Sequence, residues 1–278
     1  MLTKDLAERI EREAYLPEHL PDYVCAVSDT EPFCFEDYLA YAGRGVLIFI
    51  GYPLGTPFDP NALDRILAGA VRKCKPRLVS LIAPSIPASL AKDLPPSDQF
   101  YRLDLKAVVH SQKTRNMIHR AGRELNLNIT REFGPEHSRL VEDFAEMRSL
   151  DTATRTIFGK IKAYVEASRS ARIFEARNSA GELVAFDVAD FASRNYAFYM
   201  FNIPAVGRYV PGTSDLLLAR VIDEAVAGGK KFVNLGLGIN PGVAAFKAKW
   251  GGVPFLPHAF HQYRPVGKGL LDMLLRGL

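Results

Sequence analysis

The run from Pro211-Gly212-Thr213-Ser214 through Trp250-Gly251-Gly252 constrains this chain more than any other stretch. It reads as turn, amphipathic helix, short apolar strand, glycine-rich exit and second helix, the grammar of a βαβα unit. From Asp215 onward Leu216, Leu217, Leu218, Val221, Ile222, Ala225 and Val226 recur at helical spacing, while Arg220, Asp223 and Glu224 fill the other side. Thr213 or Ser214 can cap the first turn, and Gly228-Gly229 can end the last. The strand at 231–235 is too short and too apolar to be anything but buried.

Two local readings follow. Gly212 lets the backbone approach a ligand, and the first-turn N–H groups with the helix dipole favour an anion such as a pyrophosphate. An ordinary capped helix with nothing bound uses the same residues. Gly236-Leu237-Gly238 is not a dinucleotide fingerprint, because that motif opens a helix after the first strand of its unit. Glycines at a strand end instead let a neighbouring strand diverge or a ligand approach the backbone. Parallel strands that part this way leave main-chain groups free for an extended ligand.

The run PGTSDLLLARVIDEAVAGGKKFVNLGLGINPGVAAFKAKWGG resembles the closing portion of a GNAT-type acyltransferase domain in its FemAB-like branch. The resemblance implies an α/β fold: a GNAT-like mixed sheet with splayed parallel strands, in two tandem GNAT-like domains of which the first is degenerate. It also implies an N-acyltransferase that takes the acyl group of acyl-CoA to an amine acceptor. Aminoacyl transfer from an aminoacyl-tRNA, or a non-catalytic module that only binds, are the alternatives. The sequence departs from the family pattern at Asn234, where an acidic residue is usual, and in a pyrophosphate signature reduced to Arg208-Tyr209-Val210-Pro211-Gly212-Thr213.

The rest of the chain is compatible. At 278 residues, 48% hydrophobic and 24% charged, it suits one large globular domain or two ordinary ones. The formal net charge of +4 suits anionic ligands but is too small to argue for nucleic acid by itself. Cys25, Cys34 and Cys74 lack metal-ligand spacing, so reduced thiols in a cytoplasmic protein and no metal site are expected. The first ten residues carry too many charges for a signal peptide, and no run reaches the roughly 18 apolar residues of a membrane span. The apolar segment 269–278 either docks on a domain or touches a membrane surface.

Two halves of similar grammar are expected, 1–134 and 135–278. The first alternates strands at 45–50, 78–82 and 100–105 with helices at 61–72 and after Pro87, then a polar helix at 111–125 and a strand near Ile129. The second opens with helices at 136–150 and 154–168, a hairpin turning at 178–181, and a third strand at 195–202. Helices, antiparallel strands, helix, strand, helix and a closing strand complete it.

Amide formation needs a positioned amine, removal of its proton and stabilisation of an oxyanion. By resemblance Lys247 falls at the reaction site, as an ammonium near developing negative charge; the residue-level alternative is a surface lysine with Phe246 and Trp250 as core anchors. Candidate proton acceptors are Asp187, Asp190 and Tyr199, with His258 and His261 on the closing strand. Donor contacts are expected at Phe201, Asn202 and Arg208, at the helix start Gly212, Thr213 and Ser214, and at Asn234 and Gly236. On the polar helix Arg115 and Arg120, with Lys113, His119 and Arg123, offer a basic face for phosphates of donor or acceptor, or a plain solvated surface.

Overall fold

A computed structural model describes residues 2–90, 98–108, 111–208 and 210–265. Helix α1 (Lys4–Glu13), a 3-10 turn (Pro17–His19) and α2 (Pro21–Ser28) precede three antiparallel strands, β1 (Glu31–Phe35), β2 (Tyr38–Gly43) and β3 (Val46–Ile50). Helix α3 (Pro60–Cys74) then crosses to β4 (Leu78–Ala83), parallel to β3. Next come β5 (Asp98–Asp104), α4 (Gln112–Glu124), β6 (Asn126–Thr130), α5 (Pro135–Met147), α6 (Thr152–Gly159) and α7 (Ile161–Ala167). Strands β7 (Ala171–Arg177), β8 (Leu183–Asp190) and β9 (Tyr196–Pro204) form a meander. The remainder is α8 (Thr213–Ala227), β10 (Phe232–Leu237), α9 (Pro241–Lys249) and β11 (Val253–Tyr263).

Among the described residues eleven strands join in one mixed sheet, ordered β1-β2-β3-β4-β11-β5-β10-β9-β8-β7-β6. The expected break at 134/135 falls between β6 and α5, within this sheet: β5 and β6 pair with strands that follow it. The last strand does not close an edge. Its first part, Val253 to His258, pairs with β5 and its second, Ala259 to Tyr263, with β4, so β11 stitches the two half-sheets together. The expected long helix at 154–168 is two, because the chain re-enters at Lys160 with φ −99 and ψ 0. The expected helix after Pro87 runs mostly, and the apolar segment 269–278 wholly, outside the described residues.

Parallel pairing of β9 and β10 is short. It covers Tyr196, Ala197 and Phe198 against Phe232, Val233 and Asn234, after which β9 runs on to Pro204 beside β8 and β10 runs on to Leu237 beside β5. Both strands carry an irregularity at the parting. Met200 is skipped between the pairs Ala189↔Tyr199 and Val188↔Phe201, and Leu235 between Asn234↔Arg102 and Gly236↔Tyr101. An extra residue bends its strand and raises the local twist, which drives the two apart. Gly236 has φ +76, where a side chain would be strained.

Four buried clusters line the sheet among the described residues, and two of them flank β7 to β9. Leu217, Leu218 and Val221 of α8 pack with Ala121 of α4 and Trp250 on one face, and Leu140, Ile161 and Tyr164 of the α5–α7 layer cover Ile173, Phe186 and Val188 on the other. Among the described residues no helix is long and apolar enough to cross a membrane.

Candidate active site

The site is assembled from the parting outward. Helix α9 starts sharply, with the Asn240 side chain accepting from Val243 N–H and Pro241 in the first turn, and its last turn carries Lys247. Lys247 is 4% exposed, and its Nζ donates to the carbonyl of Leu237, the last residue of β10. The ammonium lies 5.8 Å from the centre of the Tyr101 ring. Burial lowers its pKa to about 8, against the opposing pull of Asp98. Asp98 also fixes the turn between β10 and α9 by accepting from Gly238 N–H at 3.0 Å and Ile239 N–H at 2.8 Å.

Gly236 and Tyr199 frame the opening with Lys247. A Cβ placed on Gly236 would lie 3.7 Å from Lys247 Nζ and 3.9 Å from the carbonyl oxygen of Tyr199, the first residue of β9 past the paired stretch. Asn234 is fully buried and its amide is committed: Oδ1 accepts from Gly236 N–H at 2.8 Å and Nδ2 donates to Tyr15 O at 2.8 Å. It holds the bulge and ties it to the N-terminal segment.

Beneath the start of α8 lies a second polar group. Asn202 Nδ2 donates to Asp187 Oδ1 at 2.6 Å, and Ser214 Oγ donates to Asn202 Oδ1 at 3.2 Å. Asp187 Oδ2 and Tyr199 Oη are both buried, and neither makes a hydrogen bond of ordinary geometry. The two groups face each other, and the Tyr199 hydroxyl acts on the Asp187 carboxyl as a hydrogen-bond donor. Burial raises the Asp187 carboxyl to about 7, with Asn202 and Tyr199 opposing, and burial followed by the Asp187 charge raises the Tyr199 phenol well above its usual range.

The reason for glycine at 212 lies in packing. Gly212 has φ +93, and a Cβ there would lie 2.4 Å from the carbonyl oxygen of Met117, so the start of α8 presses against α4. Thr213 is 2% exposed and donates its hydroxyl to Val210 O at 2.6 Å. Asp215 accepts from Lys249 and from Trp250 Nε1 at 3.0 Å, which anchors the end of α9 to the first turn of α8.

The structure thus brings Lys247, Gly236 and Tyr199 to one opening, and Asp187, Asn202, Tyr199 and Ser214 to one buried cluster. Other expected contacts lie apart from it. The Phe201 ring packs on Phe158 and Tyr23 on the face away from α8, with centroids 5.5 and 6.2 Å away. Arg208 pairs with Glu182 at 3.6 Å, Arg115 donates to Gln112 at 2.7 Å, and Arg120 stands 4.0 Å from Glu124, all at exposed positions. His258 lies edge-on to Phe100 at 5.4 Å with its pKa lowered by burial, and His261 stacks on Tyr263. Sequence reasoning passed over Glu18, whose Oε2 is buried without a partner. Its one signal is an acid set next to His19 between Pro17 and Pro21.

No family model and no curated protein matches the chain. Solved structures do. FemX superposes with a TM-score of 0.63 at 10% identity, covering 98% of each chain. The C-terminal domain of a proposed lysylphosphatidylglycerol synthetase from Agrobacterium fabrum gives 0.60 at 16%, covering 97% of this chain and 96% of that one. A GCN5-related N-acetyltransferase from Kribbella flavida gives 0.54 at 12%, covering 90% and 95%. The chain therefore has a GNAT-type fold related to that of FemX, in a mixed α/β arrangement with one large sheet.

Proposed function

We propose that this chain is an aminoacyltransferase, moving an aminoacyl group from an aminoacyl-tRNA to an amine or hydroxyl of an acceptor. The observation that carries this reading is the opening between β9 and β10 with the buried Lys247 ammonium at its end. Two considerations favour a charged tRNA over acyl-CoA as donor. On its side-chain side Gly212, expected at a pyrophosphate cradle, packs against the Met117 carbonyl of α4. Two of the similar folds also belong to FemX and to a domain whose description names lysylphosphatidylglycerol, a joined amino acid and lipid.

In this reaction the acceptor's lone pair attacks the ester carbonyl, a tetrahedral oxyanion forms, and the bond to the ribose oxygen of the tRNA breaks. The ribose oxygen leaves with the proton that the acceptor loses. Lys247 supplies positive charge to the oxyanion from a water-poor setting, where such a charge is worth most. Tyr199 and Asp187 offer the proton path, since the phenol and the carboxyl are buried against each other. Arg115 and Arg120, on the exposed side of α4, are proposed contacts for tRNA phosphates.

The test is transfer of a labelled aminoacyl group from charged tRNA to a panel of amines and hydroxyl acceptors, with acetyl-CoA as rival donor. Product is expected from the tRNA donor alone. Lys247→Met should lower kcat by about 10²–10³ with the far-UV spectrum unchanged. Because it is the protonated lysine that acts, wild-type kcat should fall as pH rises through about 8. Transfer from acetyl-CoA and none from tRNA would reverse the donor assignment. Binding of donor without any product would make the chain a binding module.

A further inference from the structure

Helix α9 is held by an acid at each end. At its back, Asp215 accepts from Lys249 and from Trp250 Nε1 at 3.0 Å and ties the last turn to α8. At its front, Asp98 reaches from the first residue of β5 into the turn between β10 and α9. Its Oδ1 accepts from Gly238 N–H at 3.0 Å and from Gln99 N–H at 2.7 Å, and its Oδ2 accepts from Ile239 N–H at 2.8 Å. The turn is pressed onto β5. Gly238 N–H also donates to Gln99 O at 3.1 Å, and a Cβ at 238 would lie 2.7 Å from Asp98 Oδ1 and 3.2 Å from Tyr101 Cε2.

Ile239 carries the consequence. Its φ is +60, and of the described non-glycine residues with positive φ it alone is β-branched, the residue type least suited to that region. At 74% exposure its side chain is not held there by packing. What holds it is the bond from its own N–H to Asp98, with Asn240 N–H donating to Gly238 O at 2.6 Å around it. A strained backbone persists only where its surroundings over-determine it, and such residues cluster at functional sites. Here the site adjoins the turn on both sides. Leu237, just before it, gives its carbonyl to the Lys247 ammonium, and Asn240, just after it, caps the helix that carries Lys247. Both partners of that bond therefore depend on the shape of residues 238 and 239.

We propose that Asp98 is a positioning residue for Lys247: it holds residues 238 and 239 in a strained turn that keeps the Leu237 carbonyl and the lysine ammonium facing each other at the opening. This rests on the aminoacyl-transfer reading, in which that ammonium meets the oxyanion. The carboxylate also opposes the effect of burial on Lys247, so it keeps the lysine charged as well as placed. The ammonium faces the Tyr101 ring of β5 as well, His258 of β11 stands opposite Asp98 in the sheet, and Lys249 is turned to Asp215.

Transfer from charged tRNA is measured for Asp98→Ala, Asp98→Asn and the double variant Asp98→Ala with Ile239→Gly. Asp98→Ala should lower kcat about 10- to 100-fold with KM within about twofold, and Asp98→Asn, which keeps one acceptor oxygen, should fall between it and wild type. Glycine adopts this φ without strain, so Ile239→Gly in the Asp98→Ala background should restore most of the lost kcat. It does not restore the charge. The fall of kcat with rising pH should therefore begin below about 8 in both Asp98 variants and stay there in the double variant, whereas a merely structural role would leave it at about 8. The lysine is also read without any donor, by NMR of protein carrying isotope-labelled lysine: the Lys247 titration should move to lower pH in Asp98→Asn. Unchanged kcat in Asp98→Ala, a double variant no better than the single one, or a lysine titration that stays in place would overturn the proposal. Failure of the parent reading looks different: wild type then transfers from no tRNA donor, while the Lys247 titration still moves with Asp98.

Discussion

Asp190 and Asp187 are buried on the same strand, three residues apart, and they lead opposite lives. Asp190 is 1% exposed with every lone pair engaged. Tyr164 Oη donates to Oδ2 at 2.7 Å and Ser168 Oγ at 3.0 Å, while Ser170 Oγ at 2.7 Å and Ala192 N–H at 2.8 Å donate to Oδ1. Asp187 is 0% exposed and receives Asn202 on one oxygen, with the Tyr199 hydroxyl beside it and no bond of ordinary geometry to the other oxygen. The contrast separates scaffold from site. A satisfied buried acid welds elements together, here α7 and the start of β7 to the end of β8, and an unsatisfied one keeps capacity for a ligand or a proton.

The largest effect that would test this contrast is on stability. Asp190→Ala leaves the Tyr164, Ser168 and Ser170 hydroxyls buried without their acceptor, and should cost about 3–5 kcal/mol, read from the urea midpoint. Asp187→Asn keeps the shape, loses only an acid that burial already disfavours, and should cost under about 1 kcal/mol. Equal losses at the two positions would erase the distinction between scaffold and site.

A smaller effect sharpens the comparison through pH. The folded Asp187 carboxyl sits near 7, above its ordinary 3.8, so the folded state binds a proton over this interval that the unfolded state has released. The stability it contributes is present in full below about 3.8 and is lost as pH rises through about 7. Urea midpoints should therefore decline across this window in wild type and decline less in Asp187→Asn. Matching slopes would mean that Asp187 titrates in its ordinary range.

The parting of β9 and β10 was legible because its causes are local: a short apolar strand, two glycines after it, and a helix with its apolar residues in register. The hairpin turning at 178–181 was legible for the same reason, since Asn178 accepts from both Ala180 and Glu182 N–H groups within the turn itself. What escaped depends on partners remote in sequence. The short β1–β2 hairpin shows no distinctive turn pair, and β11 finds its two partners, β4 and β5, more than 150 residues earlier. Gly212 was singled out for a ligand's approach, and the atom its missing side chain faces is a carbonyl on α4, invisible in its own neighbourhood. Asn234 was expected to meet the donor, and its amide instead bonds its own bulge and Tyr15.

Exposed charge completes the contrast with the buried acids, and here the expected effect is the smallest. Arg115 and Arg120 stand in solvent on α4, where an ion pair such as Arg120–Glu124 at 4.0 Å contributes little to folding. Replacing both with alanine should leave the urea midpoint where it was. If α4 faces tRNA phosphates, the same double variant should weaken charged-tRNA binding alike for different tRNA sequences. Each arginine lost should also flatten the dependence of log affinity on log salt by about one. Filter binding across a salt series reads both quantities at once. An unchanged slope would make this helix face an ordinary solvated surface, and the donor would then have to reach the parting between β9 and β10 from the other side of the sheet.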